Sequence, residues 1–214
     1  MSKANKSNKA IKYRLYPNNE QKVMFAKTFG CCRFVYNQLL ALQKQRYKDG
    51  ESHLSKLKSN ELATRTLKKD YDFLKEIDKF AVSNAVFHLA DAYDRFFKKQ
   101  NHFPKFKSKR KSKKSYTTNF TNNNILIGKN VIKLPKVGMV KAVIHKLPKD
   151  DWKLKSVTVS QDSVGNYFAS VLFEYEQEDI PSVSKSSTNA IGLDYKSDGL
   201  YMDSNGNKAG VHKY

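Results

Sequence analysis

Cysteine is almost missing from this chain of 214 residues: there are two, Cys31 and Cys32, and they are adjacent. Adjacent cysteines suit neither the disulfide framework of a small secreted domain nor the paired C-x-x-C ligands of a zinc ribbon. The sequence therefore predicts no zinc site in this chain. We expect the two thiols to pack within a helix.

Long apolar runs are missing as well. No stretch approaches the roughly 20 apolar residues that a membrane-spanning helix needs. Residues 1–9 are polar and basic with no apolar segment after them, a pattern that does not match a secretory signal. We therefore expect a cytoplasmic protein without a membrane partner.

Acidic residues are scarce, with 20 Asp and Glu against 40 Lys and Arg, so the net charge is +20. Such an excess goes far beyond what solubility requires and predicts a polyanionic partner. Nucleic acid and an anionic membrane surface both fit the charge. Because the basic residues are not confined to one amphipathic helix, the pattern favours nucleic acid.

The first third of the chain predicts a strand followed by two helices. Apolar and basic residues alternate over residues 9–16, which predicts a strand whose basic face carries Lys12 and Arg14. After Pro17, Asn18 and a glutamine three residues later form a capping box that predicts a helix to about residue 29. We expect Gly30 to break it and a second helix to begin at residue 31, which gives a helix-turn-helix outline.

The polar face of that second helix carries Arg33, Asn37 and Lys44. Arginine pairs with guanine and asparagine with adenine through two hydrogen bonds, so Arg33 and Asn37 are candidates for reading base edges or positioning a duplex. Helical hairpins are also common in folds that never touch DNA. A plain packing role for these helices therefore stays open.

Two further helices are expected, over residues 55–67 and 79–100. His88 falls off the apolar stripe of the second and should be exposed. The stripe itself has the three-four spacing of a buried helix face. Its members are Val82, Ala85, Val86, Leu89, Tyr93, Phe96 and Phe97.

A dense basic segment follows at residues 102–116, HFPKFKSKRKSKKSY. So many ammonium groups repel one another unless an anion neutralises them, and the aromatics Phe103, Phe106 and Tyr116 are suited to stacking on unpaired bases. A solvated loop is the alternative, but the density favours contact with a nucleic-acid backbone. The candidate phosphate contacts are Lys105, Lys107, Lys109, Arg110, Lys111, Lys113 and Lys114.

From residue 125 the apolar spacing changes from helical to two-residue, which predicts strands. With the first strand, these could form an antiparallel β-barrel in an α+β fold, interrupted by a helical insertion. The strand candidates are 125–127, 130–134, 137–147, 156–161 and 167–175. The predicted layout is 1–17 first strand and basic N-terminus, 18–118 insertion, 119–180 remaining strands, 181–189 linker and 190–214 a last strand unit.

Asp194 ends a short apolar strand in this last unit, and a second apolar run and a turn signal at residues 203–206 follow. A strand-borne aspartate before a hairpin is typical of metal-dependent nucleases of the RNase H type, because a hard divalent cation needs a rigidly placed oxygen ligand. The alternative is a solvated aspartate at a strand end.

Five segments in order give the chain a resemblance to a known family. They are KAIKYRLYPNNEQ, FGCCRFVYNQLL, FPKFKSKRKSKKSYTT, KLPKVGMVKAVIH and IGLDYKSDGLYMDSNG. Together they resemble the TnpB (OrfB) proteins of bacterial and archaeal insertion sequences, relatives of the type V CRISPR effectors. The resemblance covers the whole chain.

The resemblance implies a wedge-like β-barrel interrupted by a helical recognition domain and followed by an RNase H-like RuvC nuclease domain. It implies a guide RNA and target double-stranded DNA as partners, Mg²⁺ as cofactor, and a prokaryotic, nucleoid-associated location. Asp194 matches the first of three acidic RuvC residues, which makes it the candidate catalytic and metal-ligating residue. The family's later glutamate, aspartate and zinc ribbon have no counterpart here.

We therefore expect the N-terminal part of a TnpB-like protein, which binds nucleic acid but does not cleave it alone, unless a separate C-terminal polypeptide completes the RuvC site. Whether it acts as an enzyme is left open. One alternative is a non-enzymatic RNA-guided DNA-binding regulator. Others are a general basic RNA-binding module and a decayed reading frame whose product is unstable.

Overall fold

The computed structural model describes residues 5–177, 191–195 and 199–210. The chain divides into two compact units, residues 1–177 and 178–214. The linker predicted at 181–189 lies outside the described residues. Within the described part, no helix has both the length and the apolar character that crossing a membrane requires.

The helices of the first unit lie between its first and second strands. α1 is a single uninterrupted helix that begins after the predicted capping box, in which Asn18 and Gln21 bond each other's backbone N–H groups. The helices are α1 (Asn19–Lys48), α2 (Lys56–Glu61), a π-helical segment (Leu62–Leu67), α3 (Lys68–Asp70), a 3-10 turn (Asp72–Lys75) and α4 (Lys79–Phe97).

The predicted break at Gly30 is wrong. A glycine inside a helix costs about 1 kcal/mol relative to alanine. Buried side chains on both sides of it, among them Phe25, Phe29, Val35 and Leu39, fasten α1 to the core. Because each fully buried side chain of this kind contributes about 1.5–3 kcal/mol, packing outweighs the cost of the glycine.

The sheet of the first unit has seven strands in the order β2-β6-β7-β1-β5-β4-β3, and all its pairings are antiparallel. It is open: β2 and β3 are its two edges. The predicted antiparallel barrel is therefore wrong, although the mixed α and antiparallel β composition is confirmed. The strands are β1 (Asn5–Tyr16), β2 (Lys114–Asn119), β3 (Leu126–Ile127), β4 (Val131–Leu134), β5 (Gly138–Val143), β6 (Lys153–Gln161) and β7 (Tyr167–Gln177).

Helices cover the face of the sheet that a barrel would have enclosed. The ring of Phe25 lies 5.4 Å from that of Tyr167, and the ring of Phe29 lies 5.9 Å from that of Tyr116. At the β2 edge, the Asn84 amide of α4 donates to the carbonyl oxygen of Thr117. The inward side chains of the sheet and the apolar faces of α1 and α4 thus share one core.

Two side-chain predictions within the helices have opposite outcomes. Cys31 and Cys32 are free and buried, as expected, and burial raises the pKa of Cys32 to about 12. The stripe of α4 is buried from Val82 to Tyr93, but Phe97 is 63% exposed, so the prediction fails at that end of the helix. His88 is exposed, as predicted.

The second unit contains a three-stranded antiparallel sheet in which β9 (Tyr201–Asp203) pairs with both β8 (Leu193–Asp194) and β10 (Lys208–Ala209). The turn after β9 is held by Asp203, whose carboxylate accepts hydrogen bonds from the backbone N–H groups of Asn205 and Asn207. The predicted strand at Asp194 and the turn at 203–206 are both present.

Candidate nucleic-acid interface

The basic segment is attached to α1 by a two-point backbone clasp. The Asn37 side-chain amide donates to the Lys107 carbonyl oxygen at 2.9 Å, and its oxygen accepts from the Lys107 N–H at 2.8 Å. The sequence makes Asn37 a candidate for reading a base edge or positioning a duplex. Both hydrogen-bonding ends of its amide are engaged by Lys107 in this structure, an arrangement that favours positioning of the loop over base reading.

Lys107 differs from the other lysines of the segment. Its ammonium group lies 4.0 Å from the centre of the Tyr36 ring, a cation–π distance, and its side chain is only partly exposed. Burial lowers the pKa of Lys107 below the usual lysine value. This residue helps to anchor the loop on α1 as well as carrying charge.

Beyond Lys107 the chain closes into a short turn that displays cationic side chains. The Ser108 hydroxyl accepts from the Lys111 N–H at 3.0 Å, and the Ser112 hydroxyl accepts from the Ser108 N–H at 2.9 Å. Within the described part of the chain, none of the exposed cations of this segment forms an ion pair with a carboxylate. They are Lys105, Lys109, Arg110, Lys111, Lys113 and Lys114.

The aromatic residues of the segment divide into two kinds. Phe103 and Phe106 are 39% and 52% exposed, and the Lys44 ammonium of α1 lies 5.5 Å and 4.7 Å from their ring centres. Tyr116 is only 3% exposed because it points inward from β2 against Phe29. Its predicted role in base stacking is therefore wrong.

A small cavity of about 40 Å³ lies where α1, α4 and the basic segment meet. Its lining includes Arg33, His88, Lys113 and Lys114 but no carboxylate side chain. Tyr116 also lines it, and the Tyr116 hydroxyl oxygen is buried without a hydrogen-bond partner in the described part of the chain. Although the His88 side chain reaches solvent, desolvation by the surrounding protein lowers its pKa. Cationic groups around a small polar space suit an anion such as a phosphate oxygen.

The basic face of β1 lies on the other side of the sheet. Lys12 and Arg14 alternate with the buried Tyr13, so they point away from the helices. Lys12 Nζ lies 4.2 Å and the Arg14 guanidinium carbon 5.0 Å from the centre of the Phe168 ring. Arg14 also donates to the Asn166 side chain. Residues 12 and 14 therefore form a second cationic surface, separate from the basic segment.

Several residues of these surfaces carry no signal in the sequence. Phe168 supports both cations because it pairs with Arg14 in the β1–β7 register. Neither Tyr36 nor His88 is among the predicted site residues. The pairing of Arg14 with Phe168 joins two strands that lie far apart in the sequence, and the positions of Tyr36 and His88 likewise depend on tertiary contacts.

Asp194 lies exposed at the end of β8. Among residues 5–177, 191–195 and 199–210, no group of three or more histidine, cysteine or acidic side chains is placed to hold a metal ion. Asp203, the nearest acidic residue in the strand pairing, already accepts hydrogen bonds from its own turn, which lower its pKa. The described donors therefore do not form a two-metal carboxylate site.

Residues 7–52 match a family model described as "Helix-turn-helix domain", HTH_OrfB_IS605. A Streptomyces pristinaespiralis protein named "Putative RNA-guided DNA endonuclease" is 30% identical over 202 residues, which are 94% of this chain and 49% of the relative. The Escherichia coli K12 protein named "Putative RNA-guided DNA endonuclease InsQ" is 29% identical over 192 residues, 86% of this chain and 44% of the relative.

A third relative, "Virulence protein VsdF" of Salmonella dublin, is 32% identical over 111 residues, 47% of this chain and 93% of that protein. The chain spans about half the length of the first two relatives. The family match covers most of β1 and all of α1, and α1 is one continuous helix in the structure.

Proposed function

The chain belongs to the TnpB (OrfB) family of transposon-associated proteins, and from that premise we propose that it binds a guide RNA and target double-stranded DNA. The observation that carries the proposal is the basic segment 102–116. It is fixed to α1 at Lys107 and presents cations that have no carboxylate partner in the described residues.

The electrostatic argument supports this assignment over a plain solvated loop. Unpaired lysines held close together repel one another, and a phosphate backbone removes that repulsion while it releases condensed counterions. Such contacts give affinity with little sequence preference. The second cationic surface, at Lys12 and Arg14, would take another part of the RNA or the duplex.

Arg33 is the candidate for a more specific contact. It lies beside the small cationic cavity, and unlike Asn37 it forms no hydrogen bond to the basic segment. Its guanidinium would bind a phosphate in a fork geometry or the acceptor edge of a guanine. Lys44 completes this surface next to the two exposed phenylalanines.

We further propose that residues 190–214 are the first part of a RuvC domain and that these 214 residues bind without cleaving. Hydrolysis by two metal ions about 4 Å apart needs carboxylates on both sides of the pair. Asp194 is one exposed ligand, and the described residues do not supply the rest. Mg²⁺ would bind once another polypeptide completed the site.

The proposal is tested by purifying the chain from cells that express its own insertion-sequence locus. RNA should co-purify, and the complex should retain duplex DNA matching the guide without cutting it in Mg²⁺. Clean nicking that disappears in Asp194→Ala would contradict the binding-only role. Retention of RNA without sequence preference or duplex binding would favour the general RNA-binding module instead.

A further inference from the structure

An aromatic groove lies between the C-terminal ends of α1 and α4. Its volume is about 560 Å³, within the roughly 300–1,000 Å³ typical of small-ligand sites. Tyr47 and Phe97, on its two sides, are 85% and 63% exposed. Contiguous exposed apolar surface of this kind commonly marks an interaction site. The aromatic lining is Tyr47, Tyr93, Phe96, Phe97 and Phe103.

The rings of the groove hold one another in place. Phe97 lies near Tyr93 in a stacked arrangement, with ring centres 6.2 Å apart, and Phe96 is 5.4 Å away. Phe103 meets Tyr93 edge-on at 5.6 Å. Phe97 stays mostly exposed in spite of these contacts, so a rigidly supported aromatic surface faces solvent.

The remaining wall is also fixed. The Gln43 side chain, only 5% exposed, donates to the Leu54 carbonyl oxygen at 3.2 Å and accepts from the Leu54 N–H at 3.1 Å. This holds His53 against Tyr93, with ring centres 4.6 Å apart. Burial lowers the pKa of His53, which favours the neutral form of its imidazole. The groove is therefore preformed.

Charge identifies the kind of occupant. Lys44 and Lys48 border the groove, and its single acidic residue, Glu51, is ion-paired with Arg46. Phe103 is shared with the basic segment, so the groove continues the surface that we assign to nucleic acid. An apolar protein segment would gain nothing from lysines on the rim. A single strand uses both features, because its bases stack on aromatic rings while lysines contact its phosphates.

We propose that this groove binds an unpaired nucleobase of a single-stranded segment, with the base on Phe97 and the neighbouring phosphates on Lys44 and Lys48. The inference rests on the proposed function, since it assumes a nucleic-acid partner, and it adds a contact that depends on bases. Every base has a π-face, so the groove would tolerate any sequence.

The test compares two short strands of equal length and charge, an oligothymidylate and a fully abasic strand, by fluorescence anisotropy. Phe97→Ala and Tyr47→Ala alter exposed side chains of the groove, and circular dichroism checks their folding. Phe73→Ala is the matched control, because Phe73 is 41% exposed but packs on Phe34 outside the groove. Phe97→Trp keeps an aromatic face.

We expect Phe97→Ala to weaken oligothymidylate binding by about fivefold or more, on the scale measured for base–aromatic stacking. Binding of the abasic strand should not change, Phe73→Ala should bind as the parent does, and Phe97→Trp should retain affinity. Equal losses on both strands, or no loss on either, would overturn the groove assignment and leave the proposed function intact. If the parent protein binds neither strand, its cations do not contact the phosphates of a single strand, and the proposed nucleic-acid binding is contradicted together with the groove assignment.

Discussion

The clasp between Asn37 and Lys107 makes a prediction that separates a positioning role from base reading. Asn37→Ala removes two hydrogen bonds, each contributing about 0.5–1.5 kcal/mol, so the free energy that holds the loop on α1 falls by about 1–3 kcal/mol. The cation–π contact of Lys107 with Tyr36 remains. The loop should therefore open locally while the core stays folded.

Hydrogen exchange measures this opening directly. A decrease of about 1–3 kcal/mol corresponds to exchange of the loop amides that is about 5- to 150-fold faster. The amides to follow are those of Ser108 and Lys111, because their acceptors, the Ser112 and Ser108 hydroxyls, remain in the variant. Trypsin should also cleave after Lys107 and Lys109 more readily. Gln38→Ala is the control, because Gln38 is adjacent and exposed. Unchanged exchange together with an altered preference among duplex sequences would refute the positioning role and favour base reading by Asn37.

Three further predictions concern the folded unit. Gly30→Ala should raise the free energy of unfolding by about 0.5–1 kcal/mol, because the added methyl group meets only the Arg33 side chain, at 3.9 Å; destabilisation in urea would indicate a turn there. Asp78→Ala should lower the free energy of unfolding by about 2–4 kcal/mol, because Asp78 caps α4 and accepts from the buried Thr118 hydroxyl at 2.6 Å. Adding Thr118→Val to Asp78→Ala should recover part of the loss, because it removes the hydroxyl left without a partner. Burial raises the pKa of Cys32 to about 12 in the parent chain and shields the thiol, so in a Cys31→Ser background at pH 8 a thiol reagent should label Cys32 only on unfolding. Rapid labelling of the native protein would contradict the burial of Cys32. Because the pKa of Cys32 is raised in the folded state, the free energy of unfolding should fall once the pH exceeds the ordinary thiol pKa of about 8.5.

Local periodicity carried most of the secondary structure. Two-residue alternation placed β1 and β7, and the capping box at Asn18 placed the start of α1. β2 was missed because Lys113 and Lys114 run into it and hide the alternation of Tyr116 with Thr118, both of which are buried. Closure of the sheet was wrong for a different reason. A sheet closes into a barrel only if its two edge strands, here β2 and β3, pair with each other. The helices that pack on this sheet are distant in sequence from most of its strands, so the alternation within each strand does not predict whether the edges pair.

The charge of the candidate site could be predicted from the sequence, but the side-chain contacts that hold the site together could not. Excess lysine in residues 102–116 predicts a polyanion-binding segment from composition alone, and the structure leaves most of these cations exposed. The partner of Asn37 lies 70 residues away at Lys107, so no spacing rule connects them. The aromatic groove could not be predicted either, because it also depends on tertiary contacts. Phe97 has the spacing of a core residue, yet its side chain is mostly exposed in the structure.

The central claim is that the unpaired cations of the basic segment bind nucleic-acid phosphates. The most direct measurement is the salt dependence of RNA binding by a triple variant in which Lys109, Arg110 and Lys111 are alanine. A second triple variant lowers the net charge equally but removes lysines already ion-paired with carboxylates, Lys27, Lys56 and Lys75.

We predict that the slope of log K against log salt becomes shallower by about 2 for single-stranded RNA in the first variant, about 0.7 for each phosphate that the three cations no longer neutralise. The second variant should keep the slope of the parent chain. Equal slopes in all three proteins would contradict the claim, because these three exposed cations of the basic segment would then neutralise no phosphates.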